Sequence, residues 1–197
     1  MVKKFRAALI IITLLICGYG LITSNMHYTS SAALTLASIV VIEIFLKICT
    51  VKIPPIISIS IYIFVFLSMN LGKSLNFYGV PYWDKFLHLT SGLLLAFIGM
   101  LILWSLNAKG KELHPAVIIA FVLIFSIASA GVWEIWEFTT DSLFGLTAQN
   151  NSLNDTMWDI ICGTIGGSIV CIFLYLYYYK GKKFKIIKNT IDYMDKK

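Results

Sequence analysis

Long apolar stretches separated by short polar segments dominate the chain. Six of them lie near residues 5–24, 31–50, 53–72, 86–106, 116–138 and 158–179. Each has about the 20 residues that a helix needs to cross a hydrocarbon layer of roughly 30 Å. The apolar residues are continuous rather than alternating, which favours helices over the strands of a membrane barrel. The pattern therefore predicts an all-α fold, a polytopic transmembrane helical bundle of about six spans.

The segments that join these stretches are short, which is typical of antiparallel neighbours in one bundle. We expect residues 1–197 to form a single integral membrane domain, with a basic cytoplasmic tail at 180–197. Proline positions agree with the predicted helix starts, because proline is favoured in the first helical turn. Pro54 and Pro55 open the third span, and Pro115 opens the fifth.

The composition excludes a water-soluble protein. Of the residues, 58% are hydrophobic and only 13% are charged, and the mean hydropathy is +0.83. Soluble domains are about 45–50% apolar and about 25% charged. The chain has 16 Lys and Arg against 10 Asp and Glu, but the basic residues lie between apolar spans rather than on one folded face. We therefore expect no nucleic-acid partner.

The positions of lysine and arginine predict the orientation, because these residues concentrate on the cytoplasmic side. With the N-terminus inside, all of the 16 basic residues except Lys73 and Lys85 fall on the inner side. We expect a multi-pass protein of the cell membrane with both termini in the cytoplasm. The lysines after Tyr179 are expected to contact anionic membrane lipids.

Two charged residues lie inside the second span. Glu43 precedes Lys47 by four positions, which is the order and spacing of a stabilising intrahelical ion pair. Lysine near the end of a span can also extend its ammonium toward the interface. We interpret the two residues as a local structural pair.

The remaining acidic residues of the apolar region gather at the outer ends of the last three spans. Spacings of three or four residues place side chains on one face of a helix. The groups are Asp84 with His88 in the fourth span, Glu134, Glu137 and Asp141 in the fifth, and Asp155 with Asp159 in the sixth. The predicted topology brings the three polar faces to one membrane depth. Four tryptophans stand beside them, as is typical of membrane interfaces: Trp83, Trp133, Trp136 and Trp158.

Several carboxylates in a poor dielectric cannot all ionise without compensation, so such a cluster must share protons, pair with Lys85 or His88, or hold a cation. A divalent cation suits carboxylates combined with one imidazole. The predicted ligands are His88, Glu134, Glu137 and Asp159. Glycines at 163, 166 and 167 of the sixth span allow close helix packing, which would draw these side chains together.

A histidine beside carboxylates also suits proton transfer, since the carboxylate fixes the imidazole tautomer. We predict His88, Asp84 and Asp155 as catalytic residues, with either aspartate orienting the imidazole or carrying its proton. The alternative is a structural polar cluster, because acidic residues at helix starts are favoured by the helix dipole.

Three motifs resemble the YjdF-type family of bacterial inner-membrane proteins. They are Tyr82-Trp83-Asp84-Lys85-Phe86-Leu87-His88 followed by Gly92, Trp133-Glu134-Ile135-Trp136-Glu137, and Asp155-Thr156-Met157-Trp158-Asp159. The same skeleton looks distantly VanZ-like, although the arginine common before the last VanZ-like aspartates is absent. The resemblance implies that the motif residues act together.

The residues leave three functions open. The first is a metal-dependent hydrolase or transferase that acts on a lipid or a lipid-linked envelope precursor. The second is a non-enzymatic structural or partner-binding membrane protein, and the third is a lipid or ion transporter. The acidic residues lie near the interface rather than at mid-bilayer, and the internal repeats expected of a transporter are absent from the sequence. We therefore rank the transporter last.

Overall fold

The described residues of the computed structural model, which are 1–48, 53–107 and 113–195, form helices and no strand. Among them, six helical stretches are long and apolar enough to cross a membrane. The helices are α1 (Val2–Ile22), α2 (Met26–Ile48), α3 (Pro55–Val65), α4 (Trp83–Leu106), α5 (Pro115–Phe144), α6 (Leu153–Lys180) and α7 (Lys185–Asp195). The predicted polytopic helical bundle is confirmed. Lys52, Lys109 and Lys111, which contribute to the orientation argument, lie outside the described residues.

Two helical segments differ from the predicted spans. The third span is composite, because α3 continues as a π-helix over Phe66–Ser74. The tail after Lys180, for which no helix was predicted, contains α7. This helix buries one face, which includes Ile187 and Ile191. The indole Nε1 of Trp104 donates to Asp195 Oδ1 at 2.9 Å and ties the end of α7 to α4.

Contacts divide the chain into two compact units, Met1–Trp83 and Asp84–Lys197. In the first unit, the core consists of Leu9, Ile39, Tyr62 and Val65. The single domain expected from the short connections stays a prediction.

The charged residues of the first unit pair between helices. Glu43 accepts hydrogen bonds from Arg6 of α1 and from the Tyr62 hydroxyl of α3. The predicted intrahelical pair with Lys47 is therefore wrong. Packing gives Glu43 a guanidinium and a hydroxyl from neighbouring helices, and the side chain of Lys47 stays exposed.

The second unit packs along rows of buried residues that are spaced four apart. The rows are His88, Gly92, Ala96 and Met100 on α4, then Ile118, Val122, Ser126, Ala130 and Glu134 on α5, and Asp159, Gly163, Gly167 and Cys171 on α6. Such rows form the ridges of the commonest helix-packing class. Most members are small, so the helix backbones can approach closely.

The approach of α4 to α6 is so close that only glycine fits. A Cβ on Gly92 would lie 2.0 Å from the carbonyl oxygen of Gly163, and one on Gly166 would lie 2.2 Å from that of Leu89. Ser126 of α5 donates its hydroxyl to the Gly92 carbonyl at 3.2 Å. Helices α4 and α6 therefore meet backbone to backbone along this row, and α5 joins them through small side chains such as Ser126.

We predict that Gly166→Ala separates α4 from α6 and lowers the stability of the protein. Overpacking of a close contact costs about 1–3 kcal/mol, and contact with backbone favours the upper end of that range. The measurement is the unfolding temperature in detergent. Gly131→Ala on α5 is the matched control, because a Cβ there has nothing within 4 Å. Equal unfolding temperatures for the two variants would contradict the close approach.

Candidate functional site

The polar residues of the second unit lie at one height along their helices. At 1.5 Å per residue, His88 is about 27 Å from the far end of α4, Glu134 about 29 Å from the start of α5, and Asp159 about 32 Å from the end of α6. A hydrocarbon layer is roughly 30 Å thick. The site therefore lies about one hydrocarbon thickness from the opposite ends of its three helices.

The ammonium group of Lys85 joins three aspartates of α4 and α6. Its Nζ donates to Asp84 Oδ2 at 3.2 Å, to Asp155 Oδ1 at 2.5 Å and to Asp159 Oδ2 at 2.9 Å. Asp159 Oδ1 also lies 2.8 Å from Nζ but receives no hydrogen bond from the described residues. One cation thus faces three carboxylates, of which that of Asp159 is only 2% exposed.

The imidazole of His88 faces three carboxylate oxygens at distances too long for hydrogen bonds. Its Nε2 lies 3.8 Å from Asp84 Oδ1, 3.7 Å from Asp159 Oδ1 and 4.0 Å from Glu134 Oε1. His88, Glu134 and Asp159 are all buried. Asp159 Oδ1 and Glu134 Oε1 have no hydrogen-bond partner among the described residues. Buried oxygens are normally paired. Asp159 Oδ1 has the ammonium of Lys85 at 2.8 Å, so Glu134 Oε1 is the oxygen that points to a ligand.

The separations around His88 suit a shared cation. Two atoms that bind one cation at about 2.1 Å are at most about 4.2 Å apart, and all three separations are shorter. Ligand atoms of Asp84, His88 and Asp159 lie within 4.8 Å of one another. Glu134 is adjacent to this group through His88. A divalent cation would also offset the excess of carboxylates over the single ammonium of Lys85.

The loop between α5 and α6 is fastened over the acidic residues by two amide side chains. Gln149 Nε2 donates to Thr156 Oγ1 at 2.9 Å, to the Glu134 carbonyl at 3.3 Å and to Glu134 Oε2 at 3.5 Å. Asn150 Nδ2 donates to Asp155 Oδ2 at 2.7 Å. The loop therefore holds a carboxylate of α5 and one of α6 in fixed orientations.

Asp141, at the end of α5, supports this loop rather than the cluster. Its carboxylate accepts the backbone N–H groups of Ala148 and Gln149 at 2.9 and 3.0 Å. Asn150 and Asn151 have φ values of 50° and 51°, a left-handed conformation that asparagine tolerates better than most residues. These features shape the short turn that carries Gln149 to Glu134.

The structure brings the ligand atoms of Asp84, His88 and Asp159 together and leaves two predicted metal ligands, Glu134 and Glu137, outside that group. Glu134 lies beside it, with Oε1 4.0 Å from His88 Nε2. Glu137 is absent from the group of mutually close ligand atoms, and its Oε1 accepts a hydrogen bond from Trp133 Nε1 at 2.9 Å. Asp84, which the sequence predicts as a proton carrier, offers an oxygen to that group. Asp155 lies next to it as a partner of Lys85.

The link from Gln149 to Glu134 and Thr156 is not predicted by the sequence. The loop is recognisably polar in the sequence, with polar residues at 149–152 and 154. No spacing rule, however, predicts that an amide in this loop contacts a residue of the preceding helix α5. The packing of α5 distinguishes Glu134 from Glu137. Only Glu134 continues the row of buried residues at positions 118, 122, 126 and 130.

Comparison with known families supports the membrane assignment. The sequence model of a family described as "Predicted membrane protein (DUF2238)" matches residues 5–180. The YjdF-type resemblance is consistent with this family, whereas the VanZ-like resemblance is not shown.

A relative from Thermotoga maritima, named only as an uncharacterized protein, is 36% identical over 103 residues. The aligned part covers 52% of this chain and 53% of the relative, so the match spans about half the length of that protein. No solved structure matches the chain.

We predict that Lys85→Met destabilises the protein, because it leaves the carboxylates of Asp155 and Asp159 without their cation. Removal of one partner from a buried ion pair costs about 3–5 kcal/mol, and the 21% exposure of the Lys85 side chain reduces the expected cost to about 1–3 kcal/mol. The measurement is the unfolding temperature in detergent. Lys188→Met on the exposed face of α7 is the control, and an equal temperature for both variants would contradict the ion-pair assignment.

Proposed function

Since this chain belongs to the DUF2238 family of predicted membrane proteins, we propose its function from its own side chains: a metal-dependent hydrolase or transferase that acts on a lipid or a lipid-linked envelope precursor. The observation that carries the proposal is the convergence on His88 Nε2 of three carboxylate oxygens, from Asp84, Asp159 and Glu134, at 3.8, 3.7 and 4.0 Å. Of these, Glu134 Oε1 is buried without a hydrogen-bond partner among the described residues. Ionisable groups at the membrane are costly to retain and are usually functional.

Asp84, His88 and Asp159 would hold the cation, because their ligand atoms meet at distances that one ion can span. A bound divalent cation would polarise the oxygen at the substrate bond that is cleaved or transferred, and it would activate a water or hydroxyl. Lys85 fixes the orientation of Asp159 and balances part of the negative charge. Asp155 acts through Lys85, as a positioning residue.

Glu134 is the group placed to accept a proton. Its Oε1 faces His88 at 4.0 Å, and its Oε2 and main-chain carbonyl are held by Gln149. A general base needs a fixed orientation and a free lone pair, and Glu134 meets both conditions. This assignment differs from the sequence-based prediction, in which Glu134 is a metal ligand and either Asp84 or Asp155 orients the imidazole or carries its proton.

The second candidate is a non-enzymatic membrane protein that uses the cluster to fix helix packing or to hold a partner. The observation that favours it is the triple pairing of Lys85 with Asp84, Asp155 and Asp159, which offsets part of the charge without a metal. The two functions differ in whether the protein binds a cation and turns over a lipid.

We also propose that both termini are cytoplasmic and that the site faces the outside of the cell membrane. Within the second unit, the loop that covers the site and helix α7 lie at opposite ends of α6. The lysines that precede or belong to α7 are exposed, including Lys182, Lys183 and Lys188. They would contact anionic lipids of the inner leaflet.

Metal content tests the site directly. We expect detergent-purified protein to carry about one divalent cation per chain by elemental analysis, as for sites of this ligand class. His88→Ala and Asp159→Asn should each remove at least nine-tenths of it. His114→Ser is the control, because His114 caps the far end of α5 and serine retains that role. Equal metal content in all four proteins, with an unfolding temperature insensitive to chelator, would refute the metal site.

Turnover separates the two candidate functions. Wild-type protein in vesicles of a total bacterial lipid extract should convert one lipid species, followed by mass spectrometry. Glu134→Gln should lower the rate at least 100-fold and leave the metal content unchanged, since proton transfer by a positioned base contributes about 10²–10⁴-fold. Metal without turnover of any lipid would favour the non-enzymatic function.

Labelling of single cysteines tests the orientation. Thr147 in the loop over the site and Asn189 on α7 are both exposed in the structure, so a cysteine at either position can react. A membrane-impermeant maleimide added to intact cells should label Thr147→Cys, on the proposed outer side, and should not label Asn189→Cys, on the proposed inner side. Both should react after the cells are opened. The wild-type protein, whose described cysteines lie within helices, gives the background. The opposite labelling pattern would reverse the proposed topology.

A further inference from the structure

A pocket of about 810 Å³ opens between the end of α5, the loop that follows it and the start of α6. Ligand pockets in proteins are typically about 300–1,000 Å³, so this one is large enough for an amphiphile. Glu134, Gln149 and Thr156 are part of its lining. These are the residues that connect the loop to the acidic cluster.

One part of the lining is apolar and lies at the membrane boundary. Its large side chains are Ile135, Phe138, Leu146, Leu153 and Ile160. Helix α5 has 30 residues, which is about 45 Å and exceeds a hydrocarbon layer of roughly 30 Å. The pocket therefore lies where an alkyl chain can remain near the hydrocarbon while its headgroup reaches the site.

The polar part of the lining selects the headgroup. Its members are Glu134, Asp141, Ser142, Gln149, Asn151, Ser152 and Thr156, and the lining contains no lysine, arginine or histidine. A bare phosphate would meet two carboxylates and no cation there, which is unfavourable. An ammonium group only donates, and of the two carboxylates Asp141 already accepts two backbone N–H groups, which leaves Glu134. Amides and hydroxyls both donate and accept hydrogen bonds, as do the hydroxyls of a sugar.

Glu134 connects the pocket with the cluster. It lines the pocket, is 3% exposed, and has one oxygen without a hydrogen-bond partner among the described residues. Oε1 is covered and faces His88, whereas Oε2 lies on the side that Gln149 holds. A hydroxyl of a bound headgroup would donate to Oε2, on the same carboxylate whose other oxygen faces His88.

We propose that this pocket binds an amphiphile with an alkyl chain and an uncharged, hydroxyl-rich headgroup, of the glycolipid type. The proposal rests on the proposed function, since it names the substrate class of the same site. The alkyl chain contacts the wall formed by Ile135, Phe138 and Leu153. The headgroup hydroxyls pair with Glu134 and with the amide and hydroxyl side chains of the loop.

Photolabelling tests the proposal. Three twelve-carbon probes with a diazirine in the chain carry a glucose, a phosphate or an ammonium headgroup. The protein is in phosphatidylcholine nanodiscs with chelator present, so that binding does not depend on a metal. The glucoside should label peptides 131–160 saturably and at least tenfold more than the other two probes, because its hydroxyls match the lining.

Two variants tie the labelling to the pocket. Gly131 lines the pocket, and a Cβ there would meet nothing within 4 Å. Gly131→Phe should therefore fill the pocket and lower the labelling at least tenfold. Gly18→Phe on α1 is the matched control, because its Cβ is equally free. Glu134→Ala should lower glucoside labelling at least threefold without changing the unfolding temperature by more than a few degrees.

The outcomes separate this inference from the proposed function. Equal or stronger labelling by the phosphate or ammonium probe would overturn the headgroup assignment. Labelling that persists in both Gly131→Phe and Glu134→Ala would show that the probe lies on the lipid-facing surface instead. Saturable glucoside labelling in a protein that binds no metal would uphold the pocket and refute the enzyme.

Discussion

The contact between α4 and α6 at Gly92, Gly163 and Gly166 determines where the charged groups of the second unit can lie. With no Cβ at these positions, the carbonyl of one helix reaches the Cα of the other. His88 lies one helical turn before Gly92 in α4, and Asp159 lies one turn before Gly163 in α6. Their side chains therefore start from backbones that are almost in contact. Any larger residue in these rows would move the imidazole away from the carboxylates.

This geometry has an electrostatic cost that packing alone does not explain. Lys85 and Asp159 lose water when the helices close, and their attraction repays that loss only when the remaining lone pairs are also satisfied. Glu134 Oε1, which is buried beside His88, receives no hydrogen bond from the described residues. Apolar residues of similar volume would pack the same contact at lower cost. The retained acids thus favour a ligand over a purely structural cluster.

The sequence was sufficient to predict the six long apolar helices and the common height of the polar side chains on the last three. Continuous apolar runs of about 20 residues define spans, and spacings of three and four define faces. The same rule could not separate Glu134 from Glu137, because both spacings are compatible with one polar face. The contact row through Ser126 and Ala130 separates them, and its direction depends on how the helices cross.

Other features depended on contacts that a single helix does not reveal. The partner of Glu43 comes from α1, where Arg6 lies 37 positions earlier in the chain. Helix α7 was not expected, because charged residues are interspersed with its apolar ones in the sequence. Its apolar face is buried only after the chain turns at Gly181, which has a φ of 63°. Tertiary packing therefore decides the partners, whereas the local pattern decides the elements.

The loop after α5 joins the acidic cluster and the pocket into one arrangement. Gln149 holds Glu134 from the loop side, and His88 faces the same carboxylate from α4. A group bound in the pocket would reach the cluster by way of this carboxylate, whose two oxygens face opposite partners. The orientation of Glu134 is set by the loop, and its burial is set by the row of small residues on α5. Selection of a headgroup and chemistry on it would therefore depend on the same side chain.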